Sequence, residues 1–391
     1  SWTGTAIGWE RELLALKAQL LSVFHRSEAR ETCSTFLDGL LSGTERKTGW
    51  QMAERAGFAK PWRTQALLGR SVWDADRMRD IVFNYVVASL GDASGVLVID
   101  ETGFVKKGDH SVGVSRQDTG TAGRIENCQI GVFIAYASRF GQALIDRRLY
   151  LPEAWATDEK RRKDAAIPQE TVFATRPALA RAMLSEALDK GVACAWVLAD
   201  ADYSSDCKTR RMLERRRQPY VLAVSPNQKL RLQTERVLLH ASPQDLAEDL
   251  PADLWFALPS GEGPRGLRLY DWARVSLSCA AAPGFARYLL LRRCRSHSGA
   301  VSQYLVFAPA EAALADLAGA AGLRWTIDEC FQRAKNELGL DHCEARSWHG
   351  WHRHMTLVMA AAAFLTKLSA DLRRSAFGKT REKRSTSSIA A

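Results

Sequence analysis

The chain has 391 residues, 46% of them hydrophobic and 25% charged, the make-up of a folded protein with a sizeable core and not of a disordered chain. Lysine and arginine number 54 against 44 acidic residues, for a formal charge of +10 and an isoelectric point near 9.3; this sets aside an acidic solvating tail and favours an anionic partner, nucleic acid first. No apolar run reaches the roughly 18 residues of a membrane span, the opening residues have no signal-peptide core, and eight cysteines without a Cys-x-x-Cys pair point to reduced thiols in a cytoplasmic protein.

Trp9, Leu13, Leu14, Leu16, Leu20 and Phe24, then Leu37, Leu40 and Leu41, recur at helical spacing and predict helices over 6–90, within a helical DNA-binding domain of residues 1–92. Stretches 50–57 and 63–68, parted by Gly57, have the outline of a helix-turn-helix. Basic residues around them, Arg46, Lys47, Arg55, Lys60 and Arg63, are expected to meet DNA phosphates. At 95–100 the run Gly-Val-Leu-Val-Ile-Asp reads as a buried strand with Asp100 at its exit. Further strands are expected at 128–137 and 143–151, a helix at 176–190, and a second buried strand at 195–200 ending in Asp200. A basic helix over 206–217 and a strand over 220–224 follow. Residues 228–310 read as short strands split by Gly, Pro and Ser, taken as a β-rich insertion between core segments 93–227 and 311–370. The polar, basic stretch 371–391 is expected to be disordered.

Two carboxylates at strand exits share one sheet edge and converge if their strands are neighbours. Such hard oxygen ligands suit Mg²⁺ or Mn²⁺. In the segment 324–335, at about 100° per residue, Arg324, Asp328, Phe331 and Lys335 fall on one helical face, with Glu329 roughly 140° from Arg324. A carboxylate between an arginine and a lysine is arranged to hold metal and grip phosphate. The cluster of His342, His349, His352 and His354 with Cys343 fits no standard zinc spacing. Ser296-His297-Ser298 lies in no nucleophile elbow. Trp255 and Trp272 are candidates for stacking on an unpaired base.

The order of three strands, helix, strand, helix, strand matches the α/β plan of ribonuclease H. Val98 to Gly108 (Val-Ile-Asp-Glu-Thr-Gly-Phe-Val-Lys-Lys-Gly), Gly120 to Gln129, and Arg324 to Lys335 together resemble the DDE transposases of bacterial insertion sequences, specifically the insertion sequence 701 group. The likeness runs from about residue 10 to 365. It implies a ribonuclease-H-like core with a β-strand insertion between the second and third acids. It also implies Mg²⁺- or Mn²⁺-dependent cleavage and joining of double-stranded DNA at transposon ends and target sites. Asp100 and Asp200 match the first and second acids; position 328 matches the third, with Arg324 and Lys335 as its basic partners. The family usually carries Glu at the third position, where this chain has Asp328 followed by Glu329, and a Tyr where this chain has Ala321. Lys106 and Lys107 join Arg46, Lys47 and Arg63 as expected phosphate contacts. The resemblance further implies a homodimer on DNA, a nucleoid-associated location and no membrane. The rival reading is a domesticated transposase that binds DNA as a regulator with cleavage reduced or lost.

Overall fold

In a computed structural model that describes residues 2–233, 238–263, 266–277, 281–295 and 300–387, the leucine-spaced N-terminal stretch folds into α1 (Trp2–Leu20), α2 (Ser27–Leu40), α3 (Gly49–Arg55), α4 (Trp62–Gly69) and α5 (Ala75–Leu90). β1 (Val96–Val105), β2 (Ser115–Thr119), β3 (Arg124–Ser138) and β4 (Gly141–Leu149) follow, then α6 (Glu153–Ala156) and α7 (Glu159–Asp164). α8 (Arg176–Asp189), β5 (Trp196–Ala199), α9 (Ala201–Ser204), α10 (Cys207–Arg215) and β6 (Tyr220–Ala223) come next. β7 (Leu230–Gln233), β8 (Leu238–Ala241), α11 (Pro243–Glu248), β9 (Phe256–Gly263), β10 (Gly266–Leu277), β11 (Phe285–Cys294) and β12 (Val301–Pro309) complete the strands. The chain closes with α12 (Leu314–Gly322), α13 (Thr326–Leu338) and α14 (Trp348–Ser387).

These elements form two compact units, one of residues 1–91, 101–175 and 328–391, the other of 92–100 and 176–327. The N-terminal helices are therefore not a domain of their own ending at 92. α14 packs on α5, α4 and α2 and against β4, because its apolar residues Trp351, Met355, Leu357, Val358 and Met359 are buried there. Residues 348–374 of α14 have the length and hydropathy to cross a membrane, yet 56% of that apolar window is buried within the protein, as in a core helix. α14 also continues as helix through Ser387, so the expectation of disorder after 370 is corrected over 371–387; residues 388–391 lie outside the described residues. Lysine, arginine and alanine are good helix formers and the stretch has no proline, so the helix runs on past Gly378.

Within the first unit, β3 is flanked by β2 and β4, both antiparallel to it. Trp351 meets Phe104 and Phe133, with ring centroids 6.2 Å apart in each case. Gly103 belongs to this unit for a steric reason: a Cβ there would sit 1.9 Å from the Thr119 hydroxyl, and Thr119 is buried. Gly103→Ala is expected to destabilise the fold by about 1–3 kcal/mol through overpacking, read as a lower midpoint in urea unfolding.

The second unit is a mixed sheet in the order β1-β5-β6-β12-β11-β10-β9, to which β1 contributes its first half. β1, β5 and β6 are parallel; β12 joins β6 antiparallel with Phe307 opposite Tyr220, and hairpin pairings carry the sheet on to β9. The strands expected at 228–310 are present, and β9 to β12 extend the sheet of β5 and β6. Tyr220 and Phe307 stack at 5.7 Å across that seam, so apolar surface is buried by continuing the sheet.

Candidate active site

β1 and β5 run in parallel register, Val98 opposite Leu198 and Ile99 opposite Ala199. One residue further along, that register sets Asp100 beside Asp200, on strands about 4.8 Å apart. Residues 96–99 and 197–199 before them are buried, so the sheet fixes the backbone on which both carboxylates stand. Asp200 lies at the exit of β5 as expected. Asp100 does not: β1 continues to Val105, which places this acid in mid-strand.

Asp200 caps α9, its Oδ1 accepting from the Asp202 backbone N–H at 3.0 Å. Burial pushes the Asp200 carboxyl above its ordinary range, and the charge of Asp202 adds to this; the backbone N–H groups of Asp202 and Tyr203 and the Arg324 guanidinium oppose it. Arg324 Nη1 stands 4.0 Å from Asp100 Oδ2, and the Asp100 side chain is only 14% exposed. The centre is thus two neighbouring carboxylates facing one guanidinium, one of them reluctant to ionise. A raised carboxyl beside another acid is the electrostatic mark of a site that gains from a further cation. Two carboxylates are also the protein donor set that Mg²⁺ commonly takes, with water and phosphate oxygens completing the shell. Among the described residues no three His, Cys, Asp or Glu side chains gather at a metal-binding distance. The pair therefore fits a divalent ion that shares its shell with substrate.

Arg324 does not share a helical face with Asp328, Phe331 and Lys335. It lies in the turn between α12 and α13, and the helix begins only at Thr326. Inside α13, Asp328 and Glu329 fall in the first turn, where negative charge suits the helix dipole. Asp328 is exposed. Glu329 accepts a hydrogen bond from Gln142 Nε2 on β4, a partner that no local pattern in the sequence could reveal. Phe331 is buried against Phe133 at 5.4 Å, and Lys335 Nζ lies 3.3 Å from Thr121 Oγ1.

The expected phosphate contacts divide. α3 and α4 flank a left-handed Gly57, φ +73°, in the two-helix outline read from the sequence, and Arg46, Arg55 and Lys60 are exposed. Arg63 pairs with Glu31 at 2.7 Å and covers the Phe58 ring. The expectation for Lys47 is corrected: it is 3% exposed, and its ammonium donates to the carbonyls of Ser42 at 2.6 Å and Gly39 at 3.2 Å. Lys47→Met is expected to cost about 1–3 kcal/mol by orphaning those carbonyls, with the salt dependence of DNA affinity unchanged, as calorimetry and a salt titration would read. Lys106 donates to the Cys343 carbonyl at 2.6 Å, while Lys107 is exposed.

The other sequence signals resolve into packing. His352 and His354 are buried and pushed down to about 3 and about 4, by burial first, bonding the carbonyls of Trp348 and Gly339. Trp272 is wholly buried, so it cannot be a base-stacking platform, and Trp255 carries Arg293 over its ring at 4.3 Å. Ser296-His297-Ser298 lies outside the described residues. Cys33, Cys194, Cys207, Cys330 and Cys343 are free thiols.

The chain is 24% identical over 305 residues to the "Probable transposase for insertion sequence element IS701" of Microchaete diplosiphon, spanning 77% of this chain and 73% of that protein. A family model described as "DDE superfamily endonuclease" matches residues 19–246, a span that includes Asp100 and Asp200 and ends before Asp328. With more than half its length matched by that model, this chain belongs to the DDE superfamily of endonucleases, as its motifs lead one to expect.

Proposed function

We propose that the protein is a transposase that cuts transposon-end DNA and joins it to target DNA by metal-dependent phosphoryl transfer on a ribonuclease-H-like core. The observation that supports this reading is the parallel register of β1 and β5, which ends at Ile99 opposite Ala199 and so leads directly into Asp100 and Asp200, with Arg324 4.0 Å from Asp100. Asp100 and Asp200 are the ligands in this reading, and Asp328 is the third acid that the resemblance implies. Divalent ions, when bound, supply Lewis-acid stabilisation of the charge that develops on the phosphate and activate the attacking oxygen. Arg324 and Lys335 offset phosphate charge. Arg46, Lys106 and Lys107 hold the DNA backbone, and two copies act together on paired ends. Incubating the protein with duplex DNA that carries the element's ends should yield nicks only when Mg²⁺ or Mn²⁺ is added. Intact specific binding with no cleavage would replace this reading with that of a DNA-binding regulator.

The raised Asp200 carboxyl gives a second test that does not depend on turnover. The folded state holds this proton more tightly than the unfolded chain does. Stability therefore falls as pH rises from the ordinary carboxylate range through the raised value, and the cost stays constant above it. Asn retains the N-cap and has no charge to desolvate. Asp200→Asn is accordingly expected to raise Tm in metal-free buffer at neutral pH. Mg²⁺ or Mn²⁺ should raise the Tm of the parent protein, by the equivalent of about 2.7 kcal/mol at one hundred times Kd, and leave the variant nearly unmoved. Equal stabilisation of both by metal would remove Asp200 from the ligand set.

A further inference from the structure

Apart from the carboxylate pair, four basic side chains from three separate stretches of the first unit line one cleft of about 410 Å³. Arg46 precedes α3, Lys106 and Lys107 follow β1, and Arg346 precedes α14. Two carboxylates, Asp341 and Glu344, share the wall, and Asp341 stands 3.9 Å from His342. Among the described residues none of the four cations forms an ion pair, and Arg46, Lys107 and Arg346 are exposed.

The three stretches are pinned to one another from below. Asn127 Nδ2 donates to the carbonyls of Lys106 at 2.8 Å and Gly108 at 2.9 Å. Gln129, fully buried, donates to the Val112 carbonyl at 2.6 Å. The Val112 N–H in turn donates to the Arg346 carbonyl at 2.9 Å. The Lys47 N–H donates to His342 Nδ1 at 3.0 Å, which ties the Arg46 stretch to the same wall. Three polar side chains, of which Gln129 is fully buried, thus hold the stretches that carry these like charges in a fixed shape. That arrangement costs the free protein self-repulsion, and it becomes favourable when an anion enters, because the donors need no further ordering.

We propose that this cleft is a phosphodiester-binding site for the backbone of duplex DNA, with Asn127 and Gln129 as its positioning residues. The proposal rests on the reading of the chain as a DNA-cutting transposase. A free phosphate presents the same chemistry, so the test separates the two. Full-length protein carrying Asp100→Asn, which leaves the DNA uncut, is titrated with duplex at several salt concentrations. Adding Lys107→Gln and Arg346→Gln should lower the slope of log affinity against log salt by about two. The charge-keeping pair Lys107→Arg and Arg346→Lys should restore it. Duplex should also shield Lys107 from an amine-reactive label, and millimolar inorganic phosphate should not. An unchanged slope with Lys107 labelled equally in both states overturns the cleft and leaves the DNA-cutting reading standing if the parent still nicks DNA. Shielding by inorganic phosphate alone makes it a free-anion pocket, which also overturns the proposal. Failure of the parent to bind any duplex overturns both.

Discussion

Asp100→Asn is expected to reduce metal-dependent nicking of end DNA by at least about 10³-fold while binding to that DNA persists. The substitution changes one oxygen to an amide in mid-strand, so the packing of Val96, Leu97, Val98 and Ile99 and the pairing with β5 are left as they were. What goes is one of the two carboxylates proposed to hold a cation. A divalent ion contributes several kcal/mol of stabilisation to a phosphoryl-transfer transition state, and each 1.4 kcal/mol is a factor of ten in rate, which gives the size of the loss. Arg324 gains nothing to compensate, because the guanidinium that stood 4.0 Å from Asp100 would face a neutral amide. Single-turnover cleavage of an end-bearing duplex, with a gel-shift assay run alongside, separates chemistry from binding. Retained cleavage within a few-fold of the parent would take Asp100 out of the reaction.

Continuous apolar runs made β1 and β5 readable, since strands buried on both faces lose the alternation that marks an exposed sheet. Their adjacency was not readable, because pairing of residues 96–99 with 196–199 is a long-range event without local trace. β2 escaped notice for a different reason: Ser-Arg-Gln-Asp-Thr is a polar strand at the end of the strand order, with no hydrophobic signal. An exit at Asp100 is suggested by Asp, Glu and Gly in Asp-Glu-Thr-Gly, residues poor in strand propensity, which the strand nonetheless holds extended. Charge misled in two places. Lys47 sits in a basic stretch but points inward to two carbonyls, and fully buried lysines are rare enough that no composition rule anticipates one. Periodicity puts Arg324 on the helix face of Asp328 but cannot report where the preceding turn ends. The candidate site was readable in its acids and in the presence of an arginine, and unreadable in how that arginine reaches them.

The adjacent acids at 328 and 329 give the sharpest expected contrast. Glu329 is already engaged, its carboxylate accepting from Gln142 Nε2, so metal binding through Glu329 would require breaking that bond. Asp328 precedes it by one residue in the first turn of α13, turned by about 100°, and is exposed. Under the proposed mechanism Asp328→Ala abolishes metal-dependent nicking and leaves DNA binding in place. Glu329→Ala loses one hydrogen bond, costs about 0.5–1.5 kcal/mol of stability, and keeps cleavage within a few-fold of the parent. Asp328→Glu adds one methylene and supplies the residue usual in the family at this position. If Asp328 is a ligand, the longer arm is expected to keep metal-dependent nicking, although a displacement of about 1 Å can change the rate by as much as 10²-fold. Single-turnover nicking with Mg²⁺ and with Mn²⁺, beside urea unfolding of each variant, measures both sides of the contrast. Loss of cleavage in Glu329→Ala together with its retention in Asp328→Ala would transfer the role to Glu329, and would mean that the Gln142 contact opens when DNA binds.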